Sequence, residues 1–252
     1  MIRRAMVLAA GRGQRLAPLT DARPKPLMLV GGVPLLDHVL AFLRAGGIEE
    51  VVINLHHLGA QIEAHVGDGR RWALRVRYSW ERPILDTGGG IKHAERLLGD
   101  EPFVVANADS LLELPLREVV AFHQARGGVA TMVLRPDPDA ARYGVVELDA
   151  DDRVRRIVGL PADVVPAAGW RALMFPGVHV LEPAVFRAMD PGTAFSITRV
   201  TYPRLLATGA PVFGYVTGAR WLTIDTPAAL AAADAEYRRA PFRWDADGTP
   251  TP

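Results

Sequence analysis

The stretch LAAGRGQRLAPLTDARPKPLMLVGG, Leu8 to Gly32, decides the fold, and it follows directly on a short apolar run. Gly11 and Gly13 after a strand let the chain turn with its amide groups converging on one spot, a nest suited to phosphate. Arg12, Arg15 and Lys25 add positive charge around that turn. Taken alone, "GRG" fits equally an ordinary strand-to-helix turn with solvated basic residues. Two familiar alternatives fail on the residues that follow. A dinucleotide-binding turn needs G-x-G-x-x-G opening a helix, then an acidic residue about 20 positions on at the end of the second strand. Here Leu16 stands in place of the third glycine, Pro18, Pro24 and Pro26 oppose a helix, and the second strand ends in Asn54-Leu55-His56. A P-loop fails as well, because no G-x-x-x-x-G-K-[ST] is present.

Around this stretch, 252 residues with 49% hydrophobic and 23% charged side chains suit one sizeable globular unit. A formal net charge of +1 offers no global attraction to nucleic acid or an acidic membrane, so anions must be held by local geometry. The absence of cysteine excludes disulfides, thiolate metal sites and a cysteine nucleophile. No apolar stretch approaches the ~20 residues needed to cross a bilayer. The expectation is a cytoplasmic protein with neither nucleic-acid nor membrane partner, its oligomeric state left open.

Short β-rich runs alternate with helical patterns through the first half, the signal for βαβ crossovers and a Rossmann-like, mostly parallel mixed sheet in an α/β fold. Strands are expected at Ala5–Ala9, Val51–Leu55, Val76–Trp80 and Phe103–Ala106. Helices are expected at Leu35–Leu43, stopped by Gly46-Gly47, then at Leu58–Val66, Ile91–Leu98 and Leu116–Ala125. From Thr131 onward, "TMVL", "GVVEL", "VRRIV" and "PGVHVL" crowd together and predict a strand-rich, substrate-side subregion, ringed by helices at Pro183–Met189, Ile197–Ala207 and Ala228–Arg239. Pro161–Trp170 reads as a loop. The reading is therefore one domain over 1–240, whose pattern changes at about 130, and an extended tail at 241–252. No internal repeat with a period of roughly 20–50 residues is visible.

The opening stretch resembles the signature of the sugar-1-phosphate nucleotidylyltransferases, close to L-A-A-G-x-G-x-R-x-x-P-L-T followed by P-K-P-L. The matching residues are Leu8-Ala9-Ala10-Gly11-Arg12-Gly13-Gln14-Arg15, Pro18-Leu19-Thr20 and Pro24-Lys25-Pro26-Leu27. The resemblance runs from Ala5 to about Arg239, and implies that 1–240 is a catalytic domain with its nucleotide-binding part at about 1–130 and its sugar-binding part at about 131–240. It implies that a sugar 1-phosphate attacks the α-phosphorus of a nucleoside triphosphate, releasing pyrophosphate. It also implies that Leu8 through Gly13 bind nucleotide, that Arg15 holds the triphosphate, and that Lys25 bridges the phosphates of both reactants. Cations and amide donors there supply electrostatic stabilisation of the transferring phosphoryl group.

Two aspartates are candidates for a magnesium ion, the cofactor that the resemblance implies. In "VVANADSLLEL", Asp109 just beyond a buried strand resembles the family's N-A-D motif, although Asn and Asp at a strand end are also common turn formers. Near the C-terminus the family reads W-x-D-x-G-T-P, whereas this chain has "WLTIDTP". Thr223 stands at the usual aspartate, which leaves Asp225 either as the ligand two positions along or as the N-cap of the helix at Pro227.

"ILDTGGGIKHAERLL" supplies Thr87, Gly88 and Gly89 as nucleotide-binding candidates, with Asn54 beside them, on the view that consecutive glycines admit a planar base ahead of a helix near Ile91. In this T-G-G-G-I form, and in "INLHHLGAQIEAHVGDG", the chain is similar to the N-acetylmuramate-1-phosphate uridylyltransferases of peptidoglycan recycling. That subgroup implies UTP. On the sugar side Asn107, Gly144 of "RYGVVELD" and Gly177 of "FPGVHVLEP" are the candidates, the last being equally an apolar strand with a glycine bulge. The family's E-K-P motif is replaced by Gly159-Leu160-Pro161. Mannose- or glucose-1-phosphate chemistry is the runner-up. A catalytically weak nucleotide-sugar sensor or partner subunit is the alternative from another class.

Three further signals read as structure. His56 and His57 are adjacent and point oppositely on a strand, so they fit a polar strand exit. Arg70, Arg71, Arg75 and Arg77 fit a solvated basic face. Trp72 and Trp80 fit packing.

Overall fold

In the first strand, β1 (Arg4–Leu8), side chains alternate between two apolar layers: Ala5 and Val7 join one core cluster and Met6 the other. Period-two projection from one strand into two buried layers is what a sheet covered on both faces requires. The computed structural model describes residues 1–242, so most of the expected tail, positions 243–252, lies outside the described residues. The tail's first part departs from expectation, because Phe242 is buried, with its ring beside Tyr237 and under the Arg220 guanidinium.

The chain continues through the single turn α1 (Leu19–Ala22), a two-residue hairpin of β2 (Leu29–Val30) and β3 (Val33–Pro34), and α2 (Leu35–Ala45). Next come β4 (Glu50–Leu55), α3 (Gly59–Val66), β5 (Arg75–Trp80), α4 (Asp86–His93), α5 (Glu95–Leu98) and β6 (Phe103–Asn107). Then follow β7 (Ser110–Leu112), α6 (Leu116–Arg126), β8 (Ala130–Leu134) and α7 (Ala140–Tyr143). The remainder is β9 (Val145–Leu148), β10 (Val154–Ile157), β11 (Arg171–Met174), β12 (Val178–Leu181), α8 (Tyr202–Ala207), β13 (Val212–Val216), β14 (Trp221–Thr223) and α9 (Pro227–Arg239).

The central sheet has seven strands in the order β13-β8-β12-β6-β1-β4-β5. All neighbours run parallel except β12, which is antiparallel to both β6 and β8. Successive parallel strands leave β1 in opposite directions, β4 on one side and β6 on the other. The crevice outside the carboxyl ends at such a switch point is where an open α/β sheet holds a ligand.

Three sequence expectations are corrected. The strands after Thr131 do not all leave the main sheet: β8, β12 and β13 belong to it, and only β9, β10 and β11 form a separate three-stranded sheet. The buried runs of β8 and β12 have apolar side chains on both faces, which only a central position can cover. Helix α4 begins at Asp86 instead of Ile91, so its glycines lie inside the helix. Finally, the prolines of the opening stretch exclude a long helix but not single turns, which form at Gln14–Leu16, Leu19–Ala22 and Lys25–Leu27. Pro26 occupies a first-turn position, where the amide it lacks would have no intrahelical partner anyway.

Among the described residues no helix is long and apolar enough to cross a membrane. His56 and His57 bond separately to the backbone oxygens of Glu81 and Thr20, and the basic run pairs with Asp37, Glu50 and Asp68.

Candidate active site

Gly13 has φ +61, and a Cβ there would lie 2.9 Å from the Thr20 methyl and 3.1 Å from Lys25 Cβ. The left-handed turn and the tight approach both require glycine. The Thr20 hydroxyl donates to the Gly13 carbonyl at 3.1 Å, which fastens the loop's outward and returning limbs together. Lys25 is thereby brought back against the carboxyl edge of the sheet.

Its ammonium is the centre of the site. Lys25 Nζ lies 2.9 Å from Asp109 Oδ2 and 2.8 Å from Asp225 Oδ1, and Arg15 reaches the same Asp225 oxygen at 3.1 Å. The Lys25 side chain is only 10% exposed, whereas Arg15 is 71% exposed and stands at the rim. Asp109 follows β6, and Asp225 follows β14, which pairs with β7 through Thr223 and Ser110. Burial pushes the Asp225 carboxyl up, but the Lys25 hydrogen bond and charge, Arg15 and the Thr223 hydroxyl together hold it below the usual carboxylate range. The N-cap of α9 is Thr226, whose side chain accepts from the Ala229 amide, so Asp225 is free of the capping role left open above.

These residues wall a cavity of about 340 Å³. Leu8, Ala9, Ala10, Gly11, Gly13 and Arg15 line it from the opening stretch, with Asn54, Thr87, Asn107 and the two aspartates. Arg12 is exposed and outside the lining. Gly177 packs on the Asn107 side chain, and its carbonyl accepts from the Asn107 amide at 2.9 Å. Gly144 sits against Val158, away from the lining.

The donor set suits a hard divalent cation. Asp109 and Asp225 flank the Lys25 ammonium, and a magnesium ion takes one or two protein carboxylates, with water and phosphate oxygens for the rest. Among the described residues no cluster of three or more His, Cys, Asp or Glu gathers to hold a metal without such help.

A glycine turn, a buried lysine between two aspartates and a cavity at the switch point are matched by sequence likeness across the chain. The family model for nucleotidyl transferases matches residues 4–239. The chain belongs to the nucleotidyl transferase family.

Two relatives named N-acetylmuramate alpha-1-phosphate uridylyltransferase, from Caulobacter vibrioides and Neisseria meningitidis serogroup B, are 36% and 35% identical. The matches cover 94% and 92% of this chain and 97% of each relative. A mannose-1-phosphate guanylyltransferase from Mycobacterium tuberculosis is 32% identical over 93% of this chain, which spans 64% of that longer protein. In fold, the chain is similar to a UDP-glucose pyrophosphorylase from Acinetobacter baumanii, with a TM-score of 0.78 and 18% identity, covering 96% of this chain and 95% of that one.

In this family member the triple glycine packs a helix. The amides of Gly88 and Gly89 donate to the Phe195 carbonyl at 2.8 and 3.2 Å, and Thr87 Oγ1 accepts from the Ile197 amide. A Cβ on Gly88 would meet the Phe195 ring at 2.3 Å, and one on Gly89 would meet the Thr193 carbonyl oxygen at 2.3 Å. Ile84, Asp86 and Thr87 of this segment line the cavity, and its three glycines do not. Gly89→Ala is expected to lower the melting temperature by roughly 5 °C, since forcing a methyl into a packed backbone contact costs about 1–3 kcal/mol. A thermal melt followed by circular dichroism checks this, and an unchanged midpoint would show that the 193–197 segment yields freely.

Sequence reasoning passed over Glu81, Ile84, Gln14 and Pro26, all of which line the cavity. Glu81 stands at the exit of an edge strand, at the carboxyl end of the sheet where ligands gather, but a lone acid there has no local sequence pattern to mark it.

Proposed function

We propose that the protein transfers a nucleotidyl group from a nucleoside triphosphate to a sugar 1-phosphate, with UTP and N-acetylmuramate 1-phosphate as its substrates. The observation that carries this reading is the Lys25 ammonium, buried beside the glycine turn and held between Asp109 and Asp225 at 2.9 and 2.8 Å. Both reactants are anions, and their approach needs fixed positive charge. Lys25, once it exchanges an aspartate for phosphate, bridges the two reactants. Arg15, swinging at the rim, holds the triphosphate, and the amides of the 11–13 turn face its oxygens. A sugar-phosphate oxygen attacks the α-phosphorus, the bond to the β-phosphate oxygen breaks, and pyrophosphate leaves with that electron pair. A phosphate monoester is already nucleophilic near neutral pH, so neither a covalent intermediate nor a general base is called for. Asp109 and Asp225 would hold magnesium, which when bound supplies further charge for the developing oxyanions.

The choice of substrates is supported by the two uridylyltransferase relatives, which match this chain over 97% of their own length, and by the T-G-G-G-I segment that resembles their subgroup. A mannose or glucose 1-phosphate is the competing sugar, supported by relatives of similar identity whose chains are longer. Peptidoglycan recycling in the cytoplasm is the setting that follows from the first choice.

The test is pyrophosphate release with magnesium over a grid of UTP, dTTP, GTP, CTP and ATP against N-acetylmuramate, glucose, mannose and N-acetylglucosamine 1-phosphates. Release in the UTP and N-acetylmuramate cell is the expected result. Release confined to GTP and mannose 1-phosphate would replace both substrates while keeping the reaction. An empty grid with nucleotide sugar still bound in calorimetry would favour a sensor, a reading to which Thr223 and the missing E-K-P residues lend weight.

A further inference from the structure

Three buried hydrogen bonds run along the cavity wall from the opening turn to the segment before α4. The Ala9 amide donates to Asn54 Oδ1 at 2.7 Å, Asn54 Nδ2 donates to Glu81 Oε1 at 2.7 Å, and the Leu85 amide donates to Glu81 Oε2 at 2.8 Å. Asn54 is 3% exposed and Glu81 1% exposed. The direction of the chain is fixed by its ends: both terminal groups are backbone N–H, which only donate, so Asn54 must turn its oxygen to Ala9 and its amide nitrogen to Glu81. Glu81 Oε1 also lies 2.5 Å from where a Cβ on Gly90 would stand, so the carboxylate is boxed in by α4. No ion pair to Glu81 occurs among the described residues.

We infer that Asn54 and Glu81 are positioning residues that set the spacing between the turn receiving the triphosphate and the Ile84–Thr87 wall receiving the rest of the nucleotide. This rests on the nucleotide-binding reading above. The two walls come from different crossovers, after β1 and after β5, and β4 lies between them in the sheet. Asn54 at the end of β4 and Glu81 just past β5 span that gap with side chains that have a single bonding pattern. A carboxylate enclosed without a cation is a poor stabiliser of a fold, whereas one that accepts from two fixed donors specifies where those donors lie.

Exchanging the two head groups tests this. Asn54→Asp alone sets two carboxylates against each other with no donor between them, and Glu81→Gln alone sets an amide N–H₂ against the Asn54 amide or the Leu85 N–H. The double variant Asn54→Asp, Glu81→Gln restores every bond, because the introduced aspartate accepts from Ala9 and from the glutamine amide while the glutamine oxygen accepts from Leu85. Calorimetric titration with UTP and magnesium should show each single variant weakened by at least about tenfold, the scale of one unsatisfied buried polar group, and the double variant within about threefold of the parent. The KM for UTP should follow the same pattern while the KM for the sugar phosphate stays level. A direct contact from either side chain to the nucleotide would not survive the exchange, so a double variant as weak as the product of the singles overturns the inference. So do single variants that melt earlier yet bind UTP normally. If a single variant fails to fold, the double decides alone: parental UTP binding supports the relay, and a tenfold loss or failure to fold overturns it. A parent protein that binds no nucleoside triphosphate refutes the nucleotide reading itself, an outcome distinct from all of these.

Discussion

Lys25→Ala is expected to lower turnover at least about 100-fold while the fold survives, as removal of one preorganised charge from a phosphoryl-transfer site does. Two features of the structure make the loss fall on catalysis. Lys25 is the buried cation of the cavity wall, and its prolines, Pro24 and Pro26, hold its backbone in a single turn whose position does not depend on the ammonium. The folding cost is limited because the two aspartates keep other recourse: Asp225 retains Arg15, and Asp109 is 42% exposed and can be solvated. Steady-state pyrophosphate release and a thermal melt measure the two effects separately. Near-parental kcat with an unchanged melt would remove Lys25 from the reaction, and a collapsed melt would make it a structural counterion for the aspartates.

The sequence led to Lys25 because its neighbourhood is written in consecutive residues: a strand, two glycines, an arginine and a lysine between prolines within one stretch. The same holds for the parallel half of the sheet, where apolar runs and helical stripes alternate locally. Glu81 was passed over for the opposite reason. Its partner Asn54 meets it only when β4 and β5 pair in register, and a single acid at a strand exit carries no local pattern. The triple glycine was misread on the same grounds. Glycine runs signal turns because nothing local favours a helix there, and what stabilises α4 through them is the Phe195 carbonyl, more than a hundred residues away. The placement of β8 and β12 in the central sheet was equally hidden, since a short apolar run does not say which sheet covers its two faces.

Asp225 is the residue on which sequence and structure bear most unequally, and its substitution carries the second large effect. Thr223 occupies the aspartate position of the family's W-x-D pattern, and in the structure its hydroxyl helps to hold the Asp225 carboxyl below the usual carboxylate range. The carboxylate two residues along therefore sits beside Lys25 and opposite Asp109, where a cation between reactant phosphates would be met. Asp225→Asn is expected to raise the magnesium concentration for half-maximal rate at least about tenfold, because one of two anionic donors becomes neutral. Calorimetric titration with magnesium and UTP reads the same loss without turnover. The pH dependence carries a separate sign. The folded carboxyl lies below its unfolded value, so the Lys25 and Arg15 pairing stabilises the fold fully above the ordinary aspartate range and is lost as pH falls through the lowered folded value. The stability difference between parent and Asp225→Asn should accordingly stay level from about pH 8 to about pH 5 and shrink only below about pH 4, the unperturbed aspartate pKa. A magnesium titration unchanged by the substitution, together with that level stability difference, would leave Asp225 as a partner of Lys25 and Arg15 alone and put the second metal donor elsewhere.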